Sequence, residues 1–270
     1  MNSIEAVEKY WDSRPCNLYH SKRPVGSKEY FCEVERKKYY VEPHIPKFAD
    51  FWKWRGKSVL EIGCGLGTET INFARAGANV TVIELSEKSI ELAKKRAEVF
   101  GLSDKITFYQ GNAEKITNIV PIKKYDLIWS FGVIHHSPYP ERIIRRIRKY
   151  MGQGSELRIM LYHKRSWKVF WILMRFGKGA FWKLDKLIAQ YSEAQLGCPV
   201  TYAYSEWDAW QLLQGFEIKN VQVEHIFSFK FPEYKDNVYK KVWYFRWLPK
   251  KVFRWLEKKF GWHMCITAHL

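Results

Sequence analysis

The feature that most constrains this chain is the run Val59-Leu60-Glu61-Ile62-Gly63-Cys64-Gly65-Leu66-Gly67. An apolar strand runs into a glycine-rich turn, and a helix-compatible segment, Thr68 to Ala76, follows it. Glycines in such a turn let a ligand come against the backbone where side chains would block it. A dinucleotide fold asks for G-x-G-x-x-G, whose third glycine would fall on Thr68; here the glycines run G-x-G-x-G. The tighter spacing points to a nucleoside with an amino-acid tail over the turn, in place of a pyrophosphate on the helix N-terminus.

The rest of 57–162 alternates strand-like and helix-like segments, as a parallel sheet with crossover helices requires. Strands are expected at Ser58–Ile62, Val80–Ile83, Ile106–Tyr109, Asp126–Trp129 and Leu157–Leu161. Helices are expected at Ser86–Phe100, with serine at the N-cap and Gly101 past the end, and at Tyr139–Tyr150, opened by a proline. Before this core, Ile4–Trp11, Lys28–Val41 and Pro46–Trp54 read as helices. After it come aromatic-faced helices over Trp167–Ala194, a short helix at Ser205–Leu213 and a strand at Glu217–Glu224. The chain closes with a helix at Pro249–Phe260 and a strand at His263–Ala268. The expected organisation is a helical cap over 1–56, an α/β core over 57–163, a helical lid over 164–204, and the end of the core sheet with a basic aromatic insertion over 205–270.

Glu84 ends the second strand, 17 residues after Gly67, where a carboxylate can accept both hydroxyls of a ribose. Asn112-Ala113 follows the third strand, where an adenine would lie: the carboxamide can accept from its exocyclic amine, and a backbone N–H can donate to a ring nitrogen. In these residues the chain resembles the class I S-adenosylmethionine-dependent methyltransferases, firmly over about 57–162. The resemblance implies a Rossmann-like sheet, mostly parallel with an antiparallel last strand, and S-adenosyl-L-methionine as cofactor, leaving S-adenosyl-L-homocysteine. It implies that Gly63, Gly65 and Gly67 line the methionine and ribose portion, and that Glu61 supports the amino group. Glu84 and Leu85 would then serve the ribose, Asn112 and Ala113 the adenine, with Ser130 and Tyr19 also on the cofactor side. The family often carries Asp where this chain has Asn112.

The fourth strand ends in Ser130-Phe131-Gly132-Val133-Ile134-His135-His136-Ser137-Pro138, on the side facing the transferred methyl. The Asn/Asp-Pro-Pro-aromatic motif of base-amine methyltransferases is absent here, and Pro15-Cys16 lies in the wrong segment to be a cytosine-type nucleophile. The I-H-H-S-P run is similar to small-molecule members, the group that includes ubiquinone and menaquinone biosynthesis enzymes. Where the acceptor is a hydroxyl or protonated amine, a general base helps, and His135 and His136 are the first candidates, with Tyr162 and His163 behind them. Being adjacent, the two histidines cannot face the same way. Tyr10 and His20, in a polar-aromatic segment that can cover the cofactor, and Tyr202 and Tyr204, with Trp207, are candidates for the acceptor wall.

Formal charge is +17, which favours polyanions, acidic membrane surfaces or anionic substrates. Two blocks outside the core concentrate it among Trp and Phe: 164–186, with seven Lys/Arg against one acid, and 230–259, with ten against three. Lys250–Phe260 is amphipathic, with Val252, Phe253, Leu256 and Phe260 on one face, and reads as an interfacial helix or one packed on the domain. The longest apolar run, Val169–Met174, is far short of the roughly 20 residues of a spanning helix. Five scattered cysteines suit a reducing cytoplasm, and no cysteine pair has zinc-site spacing, so no metal is expected. The leading expectation is methyl transfer to a small-molecule or lipid-like acceptor, with peripheral contact to anionic membrane. Nucleic-acid methylation and cofactor binding without turnover are the alternatives.

Overall fold

The computed structural model describes residues 3–193, 197–230, 233 and 238–270. Its strands are β1 Ser58–Ile62, β2 Asn79–Glu84, β3 Ile106–Gln110, β4 Tyr125–Phe131, β5 Met151–His163, β6 Ala203–Tyr204, β7 Glu217–Glu224 and β8 His263–His269. They form one sheet in the order β3-β2-β1-β4-β5-β8-β7, with β6 paired to the end of β5. From β3 to β5 the neighbours are parallel, whereas β8 runs antiparallel to both β5 and β7. This is the doubly wound, Rossmann-like arrangement with an antiparallel end. Strand order reverses between β1 and β4, so a crevice opens beyond their C-terminal ends.

Alternation along each strand sorts side chains onto two cores. Val59, Leu127, Trp129, Met160 and Tyr162 face one side, with Ile45, Phe48 and Phe73. Leu60, Ile62, Ile128, Ile159 and Leu161 face the other, against Ile143, Ile144 and Ile147. The helices on these faces are α4 Thr68–Arg75, α5 Glu87–Val99, α6 Pro140–Ile147 and α9 Glu206–Leu212. Ser86 caps α5 by accepting the Ser89 N–H, and Pro140 sits in the first turn of α6, where its missing N–H costs nothing.

Helices α1 Ile4–Ser13, α2 Lys28–Val41 and α3 His44–Ala49 dock beside the glycine turn. Asp12 at the end of α1 accepts from the Ser86 hydroxyl at 2.5 Å and the Lys88 N–H at 3.3 Å. Arg96, fully buried on α5, donates to Glu35 of α2 at 2.7 Å and to the Thr68 hydroxyl at 2.7 Å. The single helix expected over Pro46–Trp54 is instead α3 and a 3-10 turn, Phe51–Trp54, divided by Asp50 at φ 47°. A left-handed residue cannot continue an α-helix, hence the break.

Beyond β5 lie α7 Trp167–Gly177, α8 Leu184–Tyr191, the short α10 Trp243–Arg246 and α11 Lys250–Phe260. The apolar face expected on α11 is only partly covered: Phe253, Leu256 and Glu257 turn inward, while Val252 and Phe260 are 42% and 41% exposed and Trp255 is 54% exposed. Among the described residues no helix is long and apolar enough to cross a membrane.

Candidate active site

A cavity of about 740 Å³ opens at the switch point, walled by the ends of β1, β2 and β4 and by residues of the α1, α7 and β7–β8 segments. The three turn glycines do three different things. Gly63 has φ +75°, and a Cβ there would stand 2.3 Å from Val133, so β1 and the loop after β4 touch through its missing side chain. Gly67, at φ +70°, lets α4 approach α5, since a Cβ would meet Ala93 at 3.1 Å. Gly65, at φ +52°, lines the cavity and has nothing within 4 Å of where a Cβ would be. That open space is a cradle for a ligand.

Glu84 closes the cradle from the side. One carboxylate oxygen accepts the Gly65 N–H at 2.9 Å, the other the Ser86 N–H at 3.0 Å, and each keeps a further lone pair. Burial pushes its pKa up, against the pull of these donors. Leu85, Asn112 and Ala113 line the same end. Asn112 Oδ1 already accepts the Glu114 N–H at 2.8 Å as a helix cap, which occupies part of the acceptor capacity expected to meet an adenine. Ser137 then donates to Glu114 at 2.6 Å, tying the turn after β3 to the histidine loop after β4.

Other expected cofactor residues do not line the cavity. Glu61 is 1% exposed and does not line the cavity; it accepts from Thr70 at 2.5 Å, and burial pushes its carboxyl up to about 8. Ser130 donates to the Ile62 carbonyl at 3.2 Å, fastening β4 to β1. Tyr19 is 57% exposed with Arg14 over its ring, away from the cavity.

The adjacent histidines diverge in a 3-10 turn, Ile134–His136. His135 is fully buried outside the cavity, its ring 3.8 Å from that of Tyr162. His136 lines the cavity. Its Nδ1 is 2.9 Å from the Val200 carbonyl, with the Thr201 hydroxyl at 3.2 Å and the Cys198 thiol at 3.6 Å from the same nitrogen; the carbonyl, which only accepts, favours the tautomer with the proton on Nδ1. That leaves Nε2 as a bare lone pair with no hydrogen-bond partner among the described residues, 3.9 Å from a Glu193 carboxylate oxygen. Burial lowers the His136 pKa despite Glu193, so the ring is neutral near pH 7. Trp11 meets it edge-on at 5.2 Å.

Tyr162 also lines the cavity, stacked on Trp262 at 4.1 Å, and burial holds its phenol protonated, well above the usual range. His163 points the other way, as strand alternation demands, and bonds the Gly261 carbonyl at 3.1 Å. Tyr202 and Tyr204 share a face that packs on the second core and do not line the cavity; Trp207 is 66% exposed. Tyr10 packs against Trp11 at 5.1 Å, and neither it nor His20 lines the cavity.

Sequence reasoning missed part of the lining. Lys38 and Glu69 pair at 2.6 Å on the wall, and Glu42, Glu193, His225 and His263 face in from four different segments. Each is a lone polar residue in an unremarkable local pattern, so no motif signals it. Much of the remaining lining is aromatic: Trp167, Trp171, Phe227 and Tyr244 among others.

The Methyltransferase domain family matches residues 53–205. Over 103 residues, 38% of this chain, the sequence is 32% identical to a 27-O-demethylrifamycin SV methyltransferase of Amycolatopsis mediterranei, covering 37% of that protein. Over 105 residues, again 38% of this chain, it is 38% identical to a ubiquinone biosynthesis O-methyltransferase of Actinobacillus pleuropneumoniae, covering 44% of it. The match thus spans about two fifths of these relatives' length. Among solved structures, magnesium protoporphyrin IX methyltransferase from Synechocystis with bound S-adenosylhomocysteine shares the fold (TM-score 0.60, 17% identity, 98% of this chain and 99% of that one). So does geranyl diphosphate C-methyltransferase from Streptomyces coelicolor, in complex with Mg2+, geranyl diphosphate and S-adenosylhomocysteine (TM-score 0.61, 14% identity, 98% and 97%).

Proposed function

The chain belongs to the methyltransferase-domain family, and on that premise we propose that it is an S-adenosylmethionine-dependent methyltransferase acting on a hydroxyl of a small, largely apolar acceptor. One observation carries the reading: His136, whose buried Nε2 has no hydrogen-bond partner among the described residues, lines the same cavity as the open cradle at Gly65. Both named relatives are methyltransferases, and one is called an O-methyltransferase.

The residues present fit the cofactor. Gly65 leaves room for it, Glu84 keeps lone pairs for ribose hydroxyls, and Leu85, Asn112 and Ala113 wall the adenine end. When bound, S-adenosylmethionine supplies a methyl group already activated on a sulfonium. The protein's task is then alignment, exclusion of water and removal of one proton. His136 is set up for the last. Val200 favours the tautomer protonated on Nδ1, Nε2 accepts the proton of the acceptor hydroxyl, and Glu193 stabilises the imidazolium that results. Trp11, Trp167 and Trp262 line the cavity, where their rings would displace water from a bound acceptor.

The aromatic lining favours an apolar small molecule over RNA, since Lys250, Lys251 and Arg254 sit on the outer face of α11 and not in the cavity. That outer face, with Trp255 exposed among lysines, suits an anionic membrane surface from which a lipid-like acceptor would come. Measuring S-adenosylhomocysteine release against pooled quinols, phenolic lipids, amines and small RNAs tests the reading. Turnover on a hydroxyl acceptor is expected; turnover on RNA alone, or tight NAD binding with none for S-adenosylhomocysteine, overturns it.

A further inference from the structure

The wall of the cavity that α2, α3 and the β7–β8 corner build holds a second constellation. Glu42 follows the last residue of α2, His225 the last of β7, and His263 opens β8. One donor atom from each lies within 4.8 Å of the others, all three residues line the cavity, and both histidines are buried. We propose that Glu42, His225 and His263 bind a divalent first-row transition ion such as Zn2+, with the remaining coordination position open to the cavity.

Several observations converge on this. His263 Nε2 and Glu42 Oε1 are 3.6 Å apart, beyond ordinary hydrogen-bond length. Two ligands held about 2.0–2.1 Å from one tetrahedral ion stand about 3.4 Å from each other, so the pair is spaced as ligands are. His263 Nδ1 meanwhile lies 3.0 Å from His44 Nε2, the outer partner that orients a ligating ring and fixes its tautomer. The His225 ring lies 4.7 Å from that of His263, and His225 sits at φ 66°, a left-handed conformation uncommon outside glycine. Its carbonyl accepts the Trp262 N–H at 2.8 Å, which pins it beside His263. Lys38, on the helix that ends before Glu42, is neutralised by Glu69. Two imidazoles and one carboxylate with an open position is a donor set that suits catalytic zinc and non-haem iron. Short-range spacing in the sequence could not announce it, since its ligands are up to 221 residues apart.

Equilibrium dialysis of the metal-stripped chain with Zn2+, and separately Co2+, tests the site without cofactor or turnover. One ion per chain is expected, with the visible absorption of four-coordinate Co2+. His44→Ala should weaken binding about 10–100-fold, as loss of an outer partner does, and His225→Ala, His263→Ala and Glu42→Gln by more. Thermal unfolding without metal separates lost ligands from lost fold; if His263→Ala does not fold, His225→Ala and Glu42→Gln carry the test. Absence of saturable binding by the parent, or parent-like binding by folded His225→Ala and Glu42→Gln, overturns the proposal. Because methyl transfer is not read out, either result leaves the proposed activity to stand or fall on its own assay.

Discussion

Glu84 accepts the backbone N–H of Gly65 at 2.9 Å, so the carboxylate at the end of β2 holds the glycine turn at the end of β1 in place. One side chain thereby shapes the cradle and presents its remaining lone pairs to whatever lies in it. Glu84→Ala should therefore weaken S-adenosylhomocysteine binding by about 1.5–3 kcal/mol, the range for hydrogen bonds to a charged group. Calorimetry on folded variant decides it; unchanged affinity would make Glu84 a purely structural brace.

The glycines should separate by mechanism. Gly63→Ala forces a Cβ to within 2.3 Å of Val133 at a left-handed φ, so it should destabilise the fold by about 2–4 kcal/mol from overpacking and strain together. Gly65→Ala meets no neighbour and should cost only about 1–2 kcal/mol of conformational strain. It should nonetheless lose most cofactor affinity. Paired denaturant melts and binding isotherms give the comparison, and equal stability losses would contradict it.

His136 should be replaceable for binding but not for turnover. His136→Ala is expected to lower kcat about 10²–10⁴-fold, the usual contribution of a positioned base, with S-adenosylhomocysteine affinity little changed. Because burial lowers its pKa, kcat/KM should rise with pH through a value below the ordinary histidine range and be flat by pH 7. A limb rising only above pH 7 would exclude His136 as the base.

Stability should fall on acidification. Burial lowers the pKa of His135, His136 and His163, and takes His20 down to about 4. A depressed folded-state pKa means the unfolded chain binds more protons, so the contribution is complete above about 6.5 and is lost as pH falls toward the folded value. Each such group costs up to about 1.4 kcal/mol per pH unit in that window. Glu61, raised to about 8, acts oppositely, and its contribution fades as pH rises from its unfolded value to 8. A melting temperature highest near pH 6.5–7 is expected. A Tm that keeps climbing as pH drops from 6.5 to 5 would contradict the histidine assignment.

Lys250, Lys251 and Arg254 lie on the outer face of α11 beside exposed Trp255. Replacing all three with Gln should leave cofactor affinity unchanged and weaken association with anionic vesicles by about 3 kcal/mol, at about 1 kcal/mol per charge. Salt sensitivity should drop with it. Parent-like vesicle binding would mark these residues as a solvated face.

What the sequence determined by itself is local and periodic. The glycine turn, the Glu84 position, the bounds of α2 and of β7, and the strand–helix alternation all rest on neighbours within a few residues, and they stand in the structure where the pattern puts them. The two-residue period of a strand also sends successive apolar side chains of β1, β4 and β5 to opposite cores. Only the tertiary structure decided which of His135 and His136 reaches the cavity, because that depends on the Val200 carbonyl 64 residues away. It alone set Tyr202 and Tyr204 against the second core and bared part of the α11 face that sequence periodicity would bury. It also brought Glu42, His225 and His263 to one wall. Periodicity reports which face of an element is apolar; which polar residues of distant elements meet is set by how the sheet orders its strands.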